Sequence, residues 1–345
     1  MWHITSRVRT VDYHTAGEPF RIVPEVPVDI AGATVAERRV FAQQSGDVDA
    51  IRQLLVREPR GHADMYGGFI VPPDDDGADF GVLFWHGDGY STACGHGTIA
   101  LGVWAVQSGR VAAATDGVTP VTMDVPSGRV VAHVRCEAGV VTGVLFENVP
   151  SYPVARGIEV ATSVGPVEAD LAFGGALYAS VEAKALGLSV VPADYVRLLQ
   201  LGREIKWALN DSRLARHPLD DRLSGVYGTI IYDDLGDSPE GPHQRNVTVF
   251  ADGRIDRSPC GSGSAARIAL LADAGRLAPG QVLTHDSIAG TRFLGRVRGP
   301  ASVDAGSSAI RGAVIPEVEG MAYRTGEHAF VLDPDDPIGT GLVLR

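Results

Sequence analysis

The sequence predicts an α/β (α+β) protein of two like halves, each a curled sheet closed around one buried helix. Three observations lead there. The chain is 345 residues long, more than one core usually holds, which points to two domains. Short apolar runs alternate with Gly, Pro and Asp punctuation, the pattern of strands and tight turns. A Cys-Gly-x-Gly turn opening an apolar segment occurs twice, at Cys94-Gly95-His96-Gly97 and Cys260-Gly261-Ser262-Gly263. Each segment runs fifteen residues from its cysteine to a Gly-Arg pair, Gly109-Arg110 in one and Gly275-Arg276 in the other. The expected domains are 1–150, carrying Cys94, and 151–330, carrying Cys260, with 331–345 returning to the first.

Along the first half, 22–24, 68–71 and 82–85 read as strands and 72–77 as a loop between two of them. Helical spacing runs through 36–56 and stops before Glu58-Pro59. Residues 121–134 predict a hairpin about Pro126-Ser127-Gly128. In the second half, 173–178 reads as a Gly-interrupted strand and 194–209 as a helix. Strands at 226–232 and 245–251 flank a polar stretch, 233–244, expected to be an exposed loop. After the second cysteine segment, a turn at 286–290 leads to a strand at 293–297. This order repeats that of the first half and predicts a duplicated unit.

The two segments after the cysteines are apolar nearly all round, with Ile99, Leu101, Val103 and Trp104 in one and Ile268, Ala269, Leu270 and Leu271 in the other. A helix without a polar face has to be enclosed, most simply by a curled sheet. Gly109 and Gly275 stand where a left-handed C-terminal cap belongs. Each helix would then point its N-terminus, and its cysteine, at the space between the halves.

Composition narrows the function. A net charge of −12 argues against nucleic acid and anionic membrane as partners, since both need a basic face. No run reaches the ~18 apolar residues of a membrane span, and the start of the chain lacks the apolar core of a signal peptide; a cytoplasmic protein is expected. Three widely spaced cysteines, Cys94, Cys136 and Cys260, form neither a disulfide framework nor a metal-binding pattern. Cys136, between Arg135 and Glu137, reads as a small buried strand residue. Lys184 and Lys206 are the only lysines, which leaves few candidates for a Schiff base.

A helix N-terminus presents unpaired N–H groups and positive potential. It is therefore expected to lower the pKa of a cysteine beside it and to bind a carboxylate, with the glycines allowing close backbone approach. Inverting a carbon next to a carboxylate takes a base on one face and an acid on the other. One thiolate and one thiol meet that need, and N–H donors stabilise the charge that develops on the carboxylate oxygens. His96 either touches the ligand or caps its helix. Asp256 either takes a substrate ammonium or caps the turn before Cys260.

These residues resemble the proline racemase family of proline racemases, 4-hydroxyproline 2-epimerases and trans-3-hydroxyproline dehydratases. The resemblance rests on His14-Thr15-Ala16-Gly17-Glu18-Pro19, Glu58-Pro59-Arg60-Gly61-His62-Ala63-Asp64-Met65-Tyr66-Gly67 and the two cysteine motifs, the second preceded by Asp256-Arg257-Ser258-Pro259. It implies the diaminopimelate-epimerase-like fold, with mainly antiparallel sheets around central helices and the site between the halves. It also implies a homodimer, a proline-type imino acid as substrate, and no metal or cofactor. Family roles fall on Cys94 and Cys260 as the acid/base pair, and on His96 and Asp256 as contacts to the substrate nitrogen. The N–H groups of Gly95, His96, Gly261 and Ser262 would take the carboxylate, while Tyr66 and Phe250 would wall the ring. The dehydratase branch usually has threonine where Cys260 stands, so cysteine there favours racemisation or 2-epimerisation of proline or a hydroxyproline. Dehydration of trans-3-hydroxy-L-proline is the alternative. Tyr66 stands where racemases often have Phe and adds a hydroxyl that suits a hydroxylated ring.

Overall fold

The computed structural model describes residues 7–304 and 310–344. The N-terminal residues 1–6, on which the expectation about a signal peptide rests, lie outside the described residues. Five α-helices are present among the described residues: α1 (Val35–Gln44), α2 (Gly46–Val56), α3 (Gly95–Gln107), α4 (Tyr195–Asn210) and α5 (Gly261–Asp273). The rest of the ordered backbone is mostly strand.

In the half that carries Cys94, strands run in the order Ala322–Phe330, Val8–Thr15, Glu18–Val23, Tyr66–Val71, Phe80–His86, Gly117–Val125, Gly128–Glu137 and Val140–Glu147. All neighbours are antiparallel except two pairs. One parallel join is crossed by α1 and α2, the other by α3. The half that carries Cys260 repeats the plan. Strands Tyr152–Thr162, Gly165–Phe173, Leu177–Glu182, Val226–Ser238, Gly241–Phe250, Leu283–Ser287 and Arg292–Pro300 follow one another. Here α4 crosses the first parallel join and α5 the second. Parallel neighbours need such a long crossover, whereas the antiparallel ones are closed by turns. Strand Val314–Gly320 pairs with Arg292–Pro300 on one side and Val140–Glu147 on the other, so the two curled sheets are continuous.

Both central helices are enclosed, as their lack of a polar face requires. Every residue of α3 from Gly95 to Ala105 is buried, and every residue of α5 from Gly261 to Leu271. Helix α3 packs on strands of its own half, Gly128–Glu137 and Val140–Glu147 foremost; α5 packs on Arg292–Pro300, Val314–Gly320 and Tyr152–Thr162. Burying one Ile or Leu side chain is worth roughly 1.5–3 kcal/mol, so Ile99, Leu101, Ile268 and Leu270 anchor the two helices strongly. Gly109 and Gly275 both take positive φ, 74° and 69°, just past the helix ends.

Three expected elements differ in detail. The stretch 36–56 is two helices, because Ser45 leaves the helical region (φ −89°, ψ 110°) and its side chain accepts from the Val48 N–H to start α2. Serine competes for backbone hydrogen bonds in this way, and Gly46 behind it weakens a continuous helix further. The Gly-interrupted strand at 173–178 is a tight hairpin in which Phe173 faces Leu177. The polar stretch 233–244 is largely strand rather than loop, with Asp233 opposite Arg245 and Ser238 opposite Gly241. Ion pairs of Asp234 and Asp237 with Arg276, together with the neighbouring strand Leu283–Ser287 beside His243 and Gln244, accommodate extended backbone there despite the polar side chains. Among the described residues no helix is long and apolar enough to cross a membrane.

Candidate active site

Cys94 and Cys260 are the N-cap residues of α3 and α5. Each sulfur accepts a hydrogen bond from its own helix, Cys94 Sγ from the Gly97 N–H at 3.3 Å and Cys260 Sγ from the Gly263 N–H at 3.4 Å. The glycines at the third helical position are needed for this. A Cβ on Gly97 would stand 2.8 Å from the Cys94 sulfur, and one on Gly263 2.9 Å from the Cys260 sulfur. The helix ends meet head to head: a Cβ on Gly95 would lie 2.5 Å from Gly261 Cα, and one on Gly261 2.5 Å from Gly95 Cα. Backbone contact between two glycines thus sets the spacing of the helices, and with it the separation of the thiols.

A small cavity of about 10 Å³ lies across this junction, lined by Cys94 and Cys260 together with His96, Asp256, Ser262, Tyr66 and Phe250. The seven side chains singled out from the sequence therefore share one space. Gly95 and Gly261 follow the two cysteines in sequence but are not themselves among the lining residues. The N–H groups of Gly95, His96, Gly261 and Ser262 belong to first helical turns, where no carbonyl a turn earlier is available to them. Two helix N-termini converging on one cavity make it favourable for a carboxylate.

Ala93, Tyr178, Tyr227 and Thr248 complete the lining, and sequence reasoning missed them. Tyr66 bonds through its hydroxyl to Ser91 Oγ and, at 2.9 Å, to the Tyr227 hydroxyl. The Tyr178 hydroxyl bonds to Ser262 Oγ at 2.7 Å and stands 4.0 Å from Cys260 Sγ. Tyr227 stacks on Phe250 with ring centroids 5.7 Å apart. Apolar ring faces thus enclose the cavity while three hydroxyls edge it. Tyrosines at the starts of strands are common in any sheet protein, and only the doubling of the fold, which brings Leu177–Glu182 and Val226–Ser238 beside α5, marked these two.

Asp256 caps the turn before Cys260, one of the two roles open to it. Its Oδ1 accepts from Ser258 N–H at 2.8 Å and Ser258 Oγ at 2.6 Å, and Ser258 Oγ in turn accepts from the Cys260 N–H at 3.1 Å. That network caps the turn and holds Cys260 at φ 63°, a left-handed conformation unusual for a residue with a Cβ. Asp256 Oδ2 meanwhile faces His96 Nδ1 at 3.7 Å. The His96 ring also lies against the catalytic candidate Cys94, whose Sγ is 3.5 Å from Nδ1. Burial pulls the His96 pKa below its ordinary value, opposed by Asp256 and the Pro19 backbone.

The thiols depart from expectation. Burial pushes both cysteines above the ordinary thiol value, and the neighbouring Asp256 carboxylate adds to the rise. The helix N–H bonds from Gly97 and Gly263 act in the opposite sense but do not prevail. The correction has a plain cause: desolvation in a closed, apolar-walled cavity outweighs a hydrogen bond and a helix end. Alkylation of Cys94 and Cys260 in the purified protein is accordingly expected to keep accelerating as pH rises past the ordinary thiol value of 9.0. A labelling rate that levels off below that pH, followed by peptide mass spectrometry, would contradict this. Cys136 is buried in strand Gly128–Glu137, away from the cavity.

Residues from both halves close over the site. Glu18, fully buried, accepts from the Arg257 N–H at 2.8 Å and from its guanidinium at 3.2 Å, while Arg257 also reaches Asp64 at 3.1 Å. Arg254 pairs with Asp88 at 2.8 Å and donates to the Ala63 carbonyl. Two of the motifs recognised in the sequence, 14–19 and 58–67, thus act as the first half's grip on the segment leading to Cys260.

Comparison with known proteins agrees with this geometry. A trans-3-hydroxy-L-proline dehydratase of Bacillus thuringiensis subsp. konkukian (strain 97-27) is 40% identical over 337 residues, 97% of each chain. A 3-hydroxyproline 2-epimerase of Burkholderia multivorans is 41% identical over 345 residues, 99% of each chain. The crystal structure of a hydroxyproline epimerase from Agrobacterium vitis with bound trans-4-OH-L-proline superposes with a TM-score of 0.89 at 30% identity, covering 99% of this chain and 96% of that one. The fold is the diaminopimelate-epimerase-like one, two pseudo-symmetric halves with a central helix in each. The family model for proline racemase matches residues 10–343, nearly the whole described chain, and the protein belongs to the proline racemase family.

Proposed function

We propose that this protein is a cofactor-independent 2-epimerase that inverts Cα of a hydroxylated proline by a two-base mechanism. One observation carries the reading: two cysteines cap two opposed helix N-termini over a single cavity. The substrate carboxylate lies on the N–H groups of Gly95, His96, Gly261 and Ser262, which also stabilise the carbanion-like state as charge moves onto the carboxylate oxygens. The ring nitrogen, as a cation, lies between Asp256 and His96. That cation opposes the burial that holds the thiols protonated, because a positive charge close by favours a thiolate. One sulfur then removes the Cα proton, and the other donates a proton to the opposite face; the roles exchange with direction. Carboxylate, N–H donors and two thiols supply everything the inversion needs, so no metal or cofactor is required by it.

The hydroxyls of Tyr66, Tyr178 and Tyr227 offer partners to a ring hydroxyl, so a hydroxylated ring enters the cavity without leaving its own hydroxyl unpaired. Tyr66→Phe is expected to lower kcat/KM for the hydroxyproline relative to proline by about five- to tenfold, the ~1 kcal/mol of one hydrogen bond. An unchanged ratio between the two substrates would remove Tyr66 from the recognition of the ring substituent.

Elimination of water from trans-3-hydroxy-L-proline is the second reading, supported by the names of relatives as similar as the epimerases. Incubation in deuterium oxide with L-proline, trans-4-hydroxy-L-proline and trans-3-hydroxy-L-proline, followed by proton NMR, separates the two. Loss of the Cα proton signal with growth of the 2-epimer is the expected result. Formation of an imine or keto product with no epimer selects the dehydratase. Exchange with neither substrate class sinks both.

A further inference from the structure

Next to the thiol cavity, in the cleft between the two halves, lies a larger space of about 770 Å³. Tyr227 lines both. The partition between them is the hydroxyl chain Tyr227–Tyr66–Ser91, and Ser91 itself faces the larger space.

The cleft is lined by three cations, Arg39, Arg52 and Lys206, and three carboxylates, Asp49, Asp88 and Asp252, but they are unevenly paired. Its carboxylates are each taken by an arginine: Asp49 by Arg52 at 2.6 Å, Asp88 by Arg254 at 2.8 Å and Asp252 by Arg203 at 2.6 Å. Two of its cations have no carboxylate within ion-pair distance, and Asp252 and Asp88 act on Lys206 only from farther away. Arg39 donates only to main-chain carbonyls, those of Tyr90 (2.8 Å) and Arg222 (3.1 Å). Lys206, on α4, is 6% exposed, and its ammonium makes no hydrogen bond or ion pair among the described residues. Its Nζ stands 3.9 Å from the centroid of the Trp207 ring. Burial brings its pKa down to about 8, so it remains mostly charged at neutral pH. A buried ammonium with no anion in contact is poorly compensated by more distant carboxylates and favours an anion in the cavity beside it.

We propose that Lys206 and Arg39 form a second carboxylate site, outside the tyrosine partition, that captures a small amino or imino acid before it reaches the thiols. The protein's net charge of −12 repels an anionic ligand at long range. Cations concentrated at a low-dielectric cleft overcome that repulsion locally and raise the rate of encounter. The cleft's apolar lining from Trp207, Leu223, Val226 and Ala251 suits a hydrocarbon ring behind the carboxylate. That the captured acid is the substrate rests on the function proposed above; the carboxylate site does not.

Trp207 reports on the site directly. Fluorescence is read in a Cys94→Ala/Cys260→Ala background, where no turnover occurs, with sodium acetate and then trans-4-hydroxy-L-proline as probes; Trp207→Phe assigns the signal. A saturable change is expected with both probes. Lys206→Met should weaken acetate binding about tenfold or more, as loss of one charge-assisted contact implies, and Lys206→Arg should retain it. With both cysteines restored, Lys206→Met is expected to lower kcat/KM about tenfold, more through KM than kcat, and the deficit should shrink as salt screens the wild type. Arg39→Met should act in the same direction. No saturable response, or an acetate response undiminished in both Lys206→Met and Arg39→Met, overturns the proposal. Because the fluorescence arm needs no chemistry, its failure and that of the epimerase reading are seen separately.

Discussion

Cys260→Ser is expected to lower epimerisation by roughly 10²–10⁴-fold, the usual contribution of a positioned acid or base. Cys94→Ser should do the same. Each sulfur caps its own helix, so serine, itself a good N-cap, preserves the turn while its hydroxyl is far too weak an acid to yield an anion near neutral pH. Thermal unfolding should therefore change little while rate collapses, and the two measurements together separate chemistry from folding. The variants also discriminate mechanisms. An elimination needs one base at Cα, so a dehydratase would keep much of its rate in one variant and lose it in the other. Full epimerase activity in either variant would end the two-thiol mechanism.

Gly95→Ala is expected to have the second largest effect, and Gly261→Ala to match it. The new methyl on residue 95 would meet Gly261 Cα at 2.5 Å, its carbonyl carbon at 2.6 Å and Ser262 N at 2.7 Å. These are backbone atoms of a buried helix, not the movable tip of a side chain, so the helix ends must part. Overpacking of this kind costs about 1–3 kcal/mol, and a displacement on the order of 1 Å between catalytic groups can cost ~10²-fold in rate. Loss of activity with a lowered melting temperature, and full recovery in neither single variant, is the expected outcome. Either alanine variant with wild-type stability and rate would show that the glycine contact does not set the thiol spacing.

Much of the site was legible because its chemistry is local. A cysteine at an N-cap, glycine at the first and third helical positions, an apolar segment with no polar face and a glycine past its end all fall within a sixteen-residue window. Finding that window twice pointed to two helices of the same kind and to the halves that enclose them. The motif ending in Glu18-Pro19 and that containing Asp64 were recognisable by resemblance, but their contacts to Arg257 were not, since nothing local links them to the second half. Tyr178 and Tyr227 escaped for the same reason. They reach the cavity only because their strands are parallel neighbours, a pairing no short motif encodes. Residues 233–244 misled because their polarity suits a loop, and only strand partners on both sides decide otherwise.

By itself, then, the amino-acid order determined which residues cap, which helices must be covered, and that the two halves repeat one plan, because capping and periodicity act within a few turns of chain. How strongly the thiols hold their protons, which hydroxyls edge the ring and which cations of the cleft go unpaired were settled only by tertiary structure. Desolvation and charge pairing depend on what every distant segment brings to the same few ångströms, and in this protein burial proved stronger than the helix ends that the sequence made visible.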